Sequence, residues 1–266
     1  MGSLVEPGGN KVGSFARESL TDIMGSQVRA LGPSTSVREY HTSSVELILD
    51  LILREEMYTL QPVNAYLIHR FLLDIIQKVL PPERPDSNND GPFYLKHADD
   101  KGDHILVDDD FNITGIIDWE WAHTAPFAID FNSPIGFIPV GQFYEGNNTL
   151  GEDEVTLAQL LEEKGRRDLA KAVWDGRLQH RFAFCCGYDL AADWTGFLGL
   201  FRGLRDAVGV DNGMEWDEWR GKALERYKPD AGLNKLLEQM DVKGMRSSLL
   251  INPALAEPGQ CSVFNQ

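Results

Sequence analysis

The sequence predicts an α+β protein, mostly helical, in which one small β insert carries the polar chemistry. Three observations lead there: apolar residues recur at helical spacing on both sides of residue 90, three short strand-like runs lie between residues 93 and 117, and a His- and Asp-rich segment falls among those runs. A chain of 266 residues with 42% apolar and 10% aromatic residues is long enough to bury a core, and it is read as a single unit over 1–266.

Residues 1–14 have the pattern of a short hairpin, with Pro7-Gly8-Gly9 as its turn, and 15–34 read as an irregular connection. From Ser36 to about Tyr58 the apolar positions Val37, Tyr40, Val45, Ile48, Leu49 and Ile52 recur at spacings of three, four and seven, which is helical. Pro62 ends that helix, and a second runs from about Val63 to Leu80, where Pro81-Pro82 stops it; together they form a helical pair over 36–80. Residues 81–92 are turn chemistry. Phe93–His97, His104–Val107 and Ile113–Ile117 read as strands, with Asp108–Asn112 as the turn between the last two. After Trp121, Pro- and Gly-rich loops lead to about Leu150. A helical subdomain over 150–240 follows, with helices expected at 152–164, 166–182, 186–208, 215–227 and 231–240, and 241–266 form a tail.

Forty-one acidic against 25 basic residues give a formal charge of −16, a field that repels nucleic acid, anionic membranes and also ATP. A nucleotide site would therefore need local compensation from a metal ion or clustered cations. Cys185, Cys186 and Cys261 show no zinc or disulfide spacing, which suits a reducing compartment. With neither a signal segment nor a run of about 18 apolar residues in view, the expected location is cytoplasmic.

The segment FYLKHADDKGDHILVDDDFNITGIIDWEW gathers His97, Asp99, Asp100, Asp103 and His104 in one loop and sets Asp118 at the end of the next strand pair. Clustered carboxylates repel one another unless a cation neutralises them, so a divalent metal is the economical explanation; the bland alternative is a solvated acidic turn, the reading given to Asp108-Asp109-Asp110. The order is distinctive: His-x-Asp, a metal-binding side chain five residues after the Asp, an apolar strand, a turn, then an apolar strand ending in Asp.

On His97-Ala98-Asp99, His104 and Ile117-Asp118-Trp119-Glu120 the sequence resembles the aminoglycoside phosphotransferase and choline kinase family, whose corresponding motifs are His-Gly-Asp-x-x-x-x-Asn and Ile-Asp-Trp-Glu. It looks like the fungal branch, strongly over 93–121 and generally elsewhere. The resemblance implies the C-terminal lobe of a protein kinase-like phosphotransferase, with ATP and Mg²⁺ as cofactors and a small hydroxyl or amino-alcohol acceptor. It implies Asp99 as catalytic base, His97 as a brace of the loop, and Asp118 as the metal anchor against the nucleotide phosphates. The Asp99 and Asp118 carboxylates are then expected within about 10 Å of each other.

Two departures accompany the match. His104 stands where the family has an asparagine ligand, and imidazole is a poor partner for Mg²⁺; either the site is weaker for that ion or another oxygen, that of Asp103, takes over. Residues 1–92 offer no glycine-rich phosphate loop and no strand lysine, so the chain reads as the C-terminal lobe alone, whether as a natural short form, an incomplete gene model or a pseudokinase. Phosphoryl transfer by this polypeptide is expected to be weak or absent, and the face left by a missing lobe is expected to be apolar and to favour self-association.

Two alternatives stand beside the kinase reading. One is a non-catalytic binding protein on the same fold. The other is a hydrolase holding a transition metal through His97, Asp99, His104 and Asp118, with His123 and His180 as the remaining downstream histidines. Cys185-Cys186 read as helix core, and Trp174, Trp194, Trp216 and Trp219 as packing aromatics. Glu55-Glu56 read as a solvated helix face, and Glu120 as a carboxylate placed to assist an acceptor.

Overall fold

Ser36 opens the first helix, α1 (Val37–Leu53), by accepting the Glu39 backbone N–H at 3.1 Å. The computed structural model in which this is seen describes residue 34 and residues 36–80, 93–97, 102–186 and 194–250. The expected hairpin at 1–14 and the turn at 81–92 lie outside the described residues.

Helix α1 is shorter than its sequence pattern suggests. It stops at Leu53, and Glu55 and Tyr58 take left-handed backbone conformations (φ 62° and 54°) in the turn that follows. Met57 and Tyr58 still pack on the core from that turn, which is why the apolar periodicity runs on past the helix. Glu55 and Glu56 are accordingly exposed beyond the helix, not along its face.

Pro62 takes the first position of α2 (Pro62–Val79), where its missing N–H is no loss. Val63, Leu67, Ile68, Phe71, Leu72, Ile75 and Ile76 are all buried, so α2 is apolar nearly all the way round and must lie inside other helices. It packs on α1, as expected, and on four helices from the C-terminal half.

Strand β1 (Phe93–Lys96) follows, and then β2 (Ile105–Val107) pairs antiparallel with β3 (Ile113–Ile116). In the turn joining them Asp108 Oδ1 accepts the backbone N–H groups of Asp110 (3.0 Å) and Asn112 (2.8 Å). The Asn112 side chain, donating to the same carboxylate, holds Asp108 below the usual carboxylate range. The acidic turn is thus a solvated structural turn, as its sequence indicates.

A fourth strand, β4 (His123–Pro126), corrects the expectation of loop after Trp121. It pairs antiparallel with β1, Phe93 opposite Pro126 and Lys96 opposite His123. Neither His, Ala nor Pro favours strands, so the pairing comes from the distant partner and leaves no local signal. Chain continues through α3 (Phe127–Asp130), α4 (Val140–Tyr144), α5 (Glu152–Glu163), α6 (Arg167–Trp174), α7 (Gly176–Cys185), α8 (Trp194–Val208), α9 (Trp216–Arg226) and α10 (Ala231–Leu250).

The single helix expected over 166–182 is two, divided at Asp175. A Cβ on Gly176 would stand 2.9 Å from the Asn132 Cβ, so the break brings α7 closer to the segment after α3 than any other residue would allow. A Cβ at Gly199 would lie 1.8 Å from the Tyr144 carbonyl oxygen, which fixes glycine where α8 crosses the end of α4.

Charged and polar groups inside the helical half are paired with care. Arg177 and Glu154 form a buried ion pair, and Glu154 also accepts from Ser133 Oγ (2.8 Å) and from the Gly151 N–H (2.8 Å) at the start of α5. Arg181, fully buried, donates to Asn148 Oδ1 (3.0 Å) and the Asn147 carbonyl (2.6 Å) while its guanidinium lies 4.1 Å from the centre of the Phe143 ring. Burial lowers its pKa to about 10. Along α2, Tyr66 donates to Asp230 and Asp74 accepts from Tyr227, both at 2.8 Å, tying α2 to the residues around α9 and α10.

Trp194, Trp216 and Trp219 form an aromatic cluster with Phe71, Phe197 and Phe201. Trp174 departs from the packing role: it is 38% exposed and its indole N–H donates to Glu162 at 3.0 Å. Cys185 and Cys186 are both buried, and burial pushes the Cys185 thiol up, as inert core cysteines require.

Removing the carboxylate in Glu154→Ala leaves Arg177 charged and buried without its partner. The expected loss is about 3–5 kcal/mol of unfolding free energy, read from urea denaturation. Burial also lowers His69 and His180 from 6.5 to about 4. Between those values the unfolded chain binds more protons than the folded one, so stability is full above about pH 6.5 and falls as pH drops toward 4. Urea midpoints should decrease over that interval, and His180→Gln should make the decline shallower.

Candidate functional site

The His/Asp-rich loop hangs between two described anchors, His97 directly after β1 and His104 directly before β2. Asp99 and Asp100 lie outside the described residues, and with them the expected separation of Asp99 from Asp118. Gly102 re-enters with φ 97°, a conformation that favours glycine, and turns the chain toward β2.

Both anchors hold Ile117. The His97 ring donates from Nε2 to the Ile117 carbonyl at 2.7 Å, and the Ile117 N–H donates to the His104 carbonyl at 3.0 Å. A carbonyl only accepts, so neutral His97 carries its proton on Nε2. The residue before, Ile116, is held as well: its carbonyl accepts the Trp119 indole N–H at 2.9 Å. Chain direction at Asp118 is therefore fixed from three sides. Asp118 itself is exposed and left-handed (φ 62°, ψ 46°), a backbone that Asp tolerates better than most residues, and the turn Trp119–Trp121 starts from it.

The two imidazoles also meet face to face. His97 and His104 stack with centroids 4.0 Å apart and planes 20° from parallel, and Trp119 closes the edge of His97 at 4.8 Å. His104 is only 6% exposed. The Nδ1 atoms of both rings are buried without a hydrogen-bond partner among the described residues. Asp103 Oδ1 is 3.8 Å from the His104 Nδ1, beyond hydrogen-bond distance, and the Asp103 side chain is 75% exposed.

For the metal ligands expected from sequence the geometry divides. Asp118 offers hard carboxylate oxygens at an exposed, rigidly set position, which fits a divalent ion such as Mg²⁺. The buried, stacked His104 ring does not fit that ion. Among the described residues no three His, Cys, Asp or Glu side chains are grouped to hold a metal. His180, a possible ligand in the hydrolase reading, sits in α7 with its Nε2 donating to the Ser133 carbonyl at 2.9 Å. Glu120 is exposed in the turn after Asp118.

Sequence reasoning missed two parts of this arrangement, the backbone of Ile117 as the common anchor and the Trp119 side chain as a lock on Ile116. The second had a visible signal in the aromatic directly after Asp118; a backbone anchor leaves none. Around the site the hairpin is apolar and open: Val107 is 51% exposed, Phe111 86% and Ile113 64%. No helix among the described residues is long and apolar enough to cross a membrane.

Residues 48–171 match the model of the phosphotransferase enzyme family, a span that begins inside α1 and ends inside α6 and so contains every part of this site. No curated protein and no solved structure is significantly similar to the chain.

His97→Ala removes the bond to Ile117 and one face of the ring stack. Amide exchange at Ile117 and Asp118 should accelerate about tenfold, the equivalent of one hydrogen bond of about 1.4 kcal/mol, while the α2 amides stay protected.

Proposed function

We propose, from the match of residues 48–171 to the phosphotransferase enzyme family, that the chain transfers a phosphoryl group from ATP to a small hydroxylated or amino-alcohol acceptor in the cytoplasm. Asp99 takes the proton of the acceptor hydroxyl, and Asp118 anchors the divalent ion that accompanies the nucleotide. His97 keeps the base-bearing loop in register with Asp118. Glu120, one turn beyond, is a carboxylate placed to receive an acceptor amine.

The single observation that carries this reading is the double anchoring of Ile117. One anchor, His97, stands directly after β1 and the other, His104, directly before β2, so both ends of the interval that carries Asp99 are tied to the residue that precedes Asp118. Phosphoryl transfer depends chiefly on holding acceptor, metal and nucleotide in fixed relation, and a shared anchor supplies that relation. Mg²⁺-ATP, when bound, supplies the transferable group and neutralises charge that would otherwise repel a protein of net charge −16.

The test is ADP release with amino-alcohol, sugar and aminoglycoside acceptors. Slow, acceptor-dependent turnover is expected from the chain, reduced at least about a hundredfold in Asp99→Ala and in Asp118→Asn. Turnover that is unchanged in Asp99→Ala, or no acceptor dependence across the panel, would remove the proposal.

A further inference from the structure

Resting on that phosphotransferase reading, we infer that His104 is a positioning residue and not a metal ligand, so that the site holds one divalent ion, at Asp118, where the two-metal kinase pattern holds two. Three observations converge on this. The ring is nine-tenths buried, 6% exposed, whereas an ion shared with nucleotide phosphates must be reached from solvent. It lies flat on His97 at 4.0 Å and 20°, so an ion in the plane of one ring stands off the plane of the other by roughly twice the 2.0–2.1 Å of an imidazole–metal bond. Among the described residues no three His, Cys, Asp or Glu side chains, His104 included, are grouped to hold a metal.

What the ring does instead follows from its contacts. His97 must keep its plane fixed to donate to the Ile117 carbonyl, and its free rotation is blocked on one face by His104 and at its edge by Trp119. The His104 backbone carbonyl meanwhile accepts from the Ile117 N–H. One residue therefore supports the brace twice, through its ring and through its main chain. An asparagine at this position offers no ring to stack, so the histidine exchanges a second ion for a stiffer brace.

The inference is tested on the full chain with Mn²⁺ as the probe ion and ADP as the nucleotide. Bound ions are counted by electron paramagnetic resonance, and the echo-modulation spectrum is inspected for a directly bonded imidazole nitrogen. One bound ion with no nitrogen coupling is expected, retained in His104→Phe and lost in Asp118→Asn. Ile117 amide exchange should stay slow in His104→Phe, which keeps an aromatic face, and accelerate about tenfold in His104→Ala. Two bound ions falling to one in His104→Phe, or a directly bonded nitrogen that vanishes in that variant, would overturn the inference. Equal exchange in the Phe and Ala variants would overturn the positioning role. Absence of any nucleotide-dependent Mn²⁺ binding in all variants would overturn the phosphotransferase reading and the one-ion assignment with it, while the exchange comparison would still decide what the His104 ring does.

Discussion

The geometry at Asp118 depends on a single residue, Ile117, gripped at its carbonyl by His97 and at its N–H by His104. Neither bond is strong alone; a typical hydrogen bond contributes about 0.5–1.5 kcal/mol net. Their effect lies in where they act. Among the described residues no strand pairing joins β1 to β2, and the hairpin of β2 and β3 is exposed along most of its length. Cross-linking the start of the loop to the end of β3 closes a small ring of backbone, and the αL conformation of Asp118 then follows from the direction in which Ile117 is held.

Behind this small β layer the helical half supplies rigidity by a different means. Burial of α2 on nearly every side makes it the axis on which the others pack, and the Tyr66–Asp230 and Tyr227–Asp74 bonds fix its angle to the C-terminal helices. On the far side, Glu154 gathers Ser133, Gly151 and Arg177 around one carboxylate, which joins the segment after α3 to α5 and α7. That segment is continuous with β4, the partner of β1, so the buried ion pair reaches the strand that leads into His97.

Sequence reasoning succeeded where local chemistry and local structure coincide. Ser36 marks a real helix start, the Asp108–Asn112 turn closes as its residues suggest, and Asp118 ends the hairpin, whereas Pro62, read as the stop of the first helix, is the first residue of the second. It failed where a distant partner decides: β4 has poor strand formers and exists because β1 needs an edge, and α6 and α7 divide where Gly176 must approach Asn132. The α1 boundary was misread for a third reason, since Met57 and Tyr58 continue the apolar pattern in a turn instead of a helix. At the site, the residue types were legible and their orientation was not. Nothing in the letters His97 and His104 says that the rings face each other, and it is the ring planes that separate a ligand from a brace.

The double grip on Ile117 also has a consequence for how such a loop can change over time. One post holds Ile117 through a side chain, the His97 ring, and the other through the main chain, the His104 carbonyl. A main-chain bond is indifferent to the side chain its residue carries, so substitution at 104 spares one half of the grip, whereas substitution at 97 removes the other. Position 104 is therefore the more evolvable of the two posts, since drift there leaves Ile117 still tied to the start of β2.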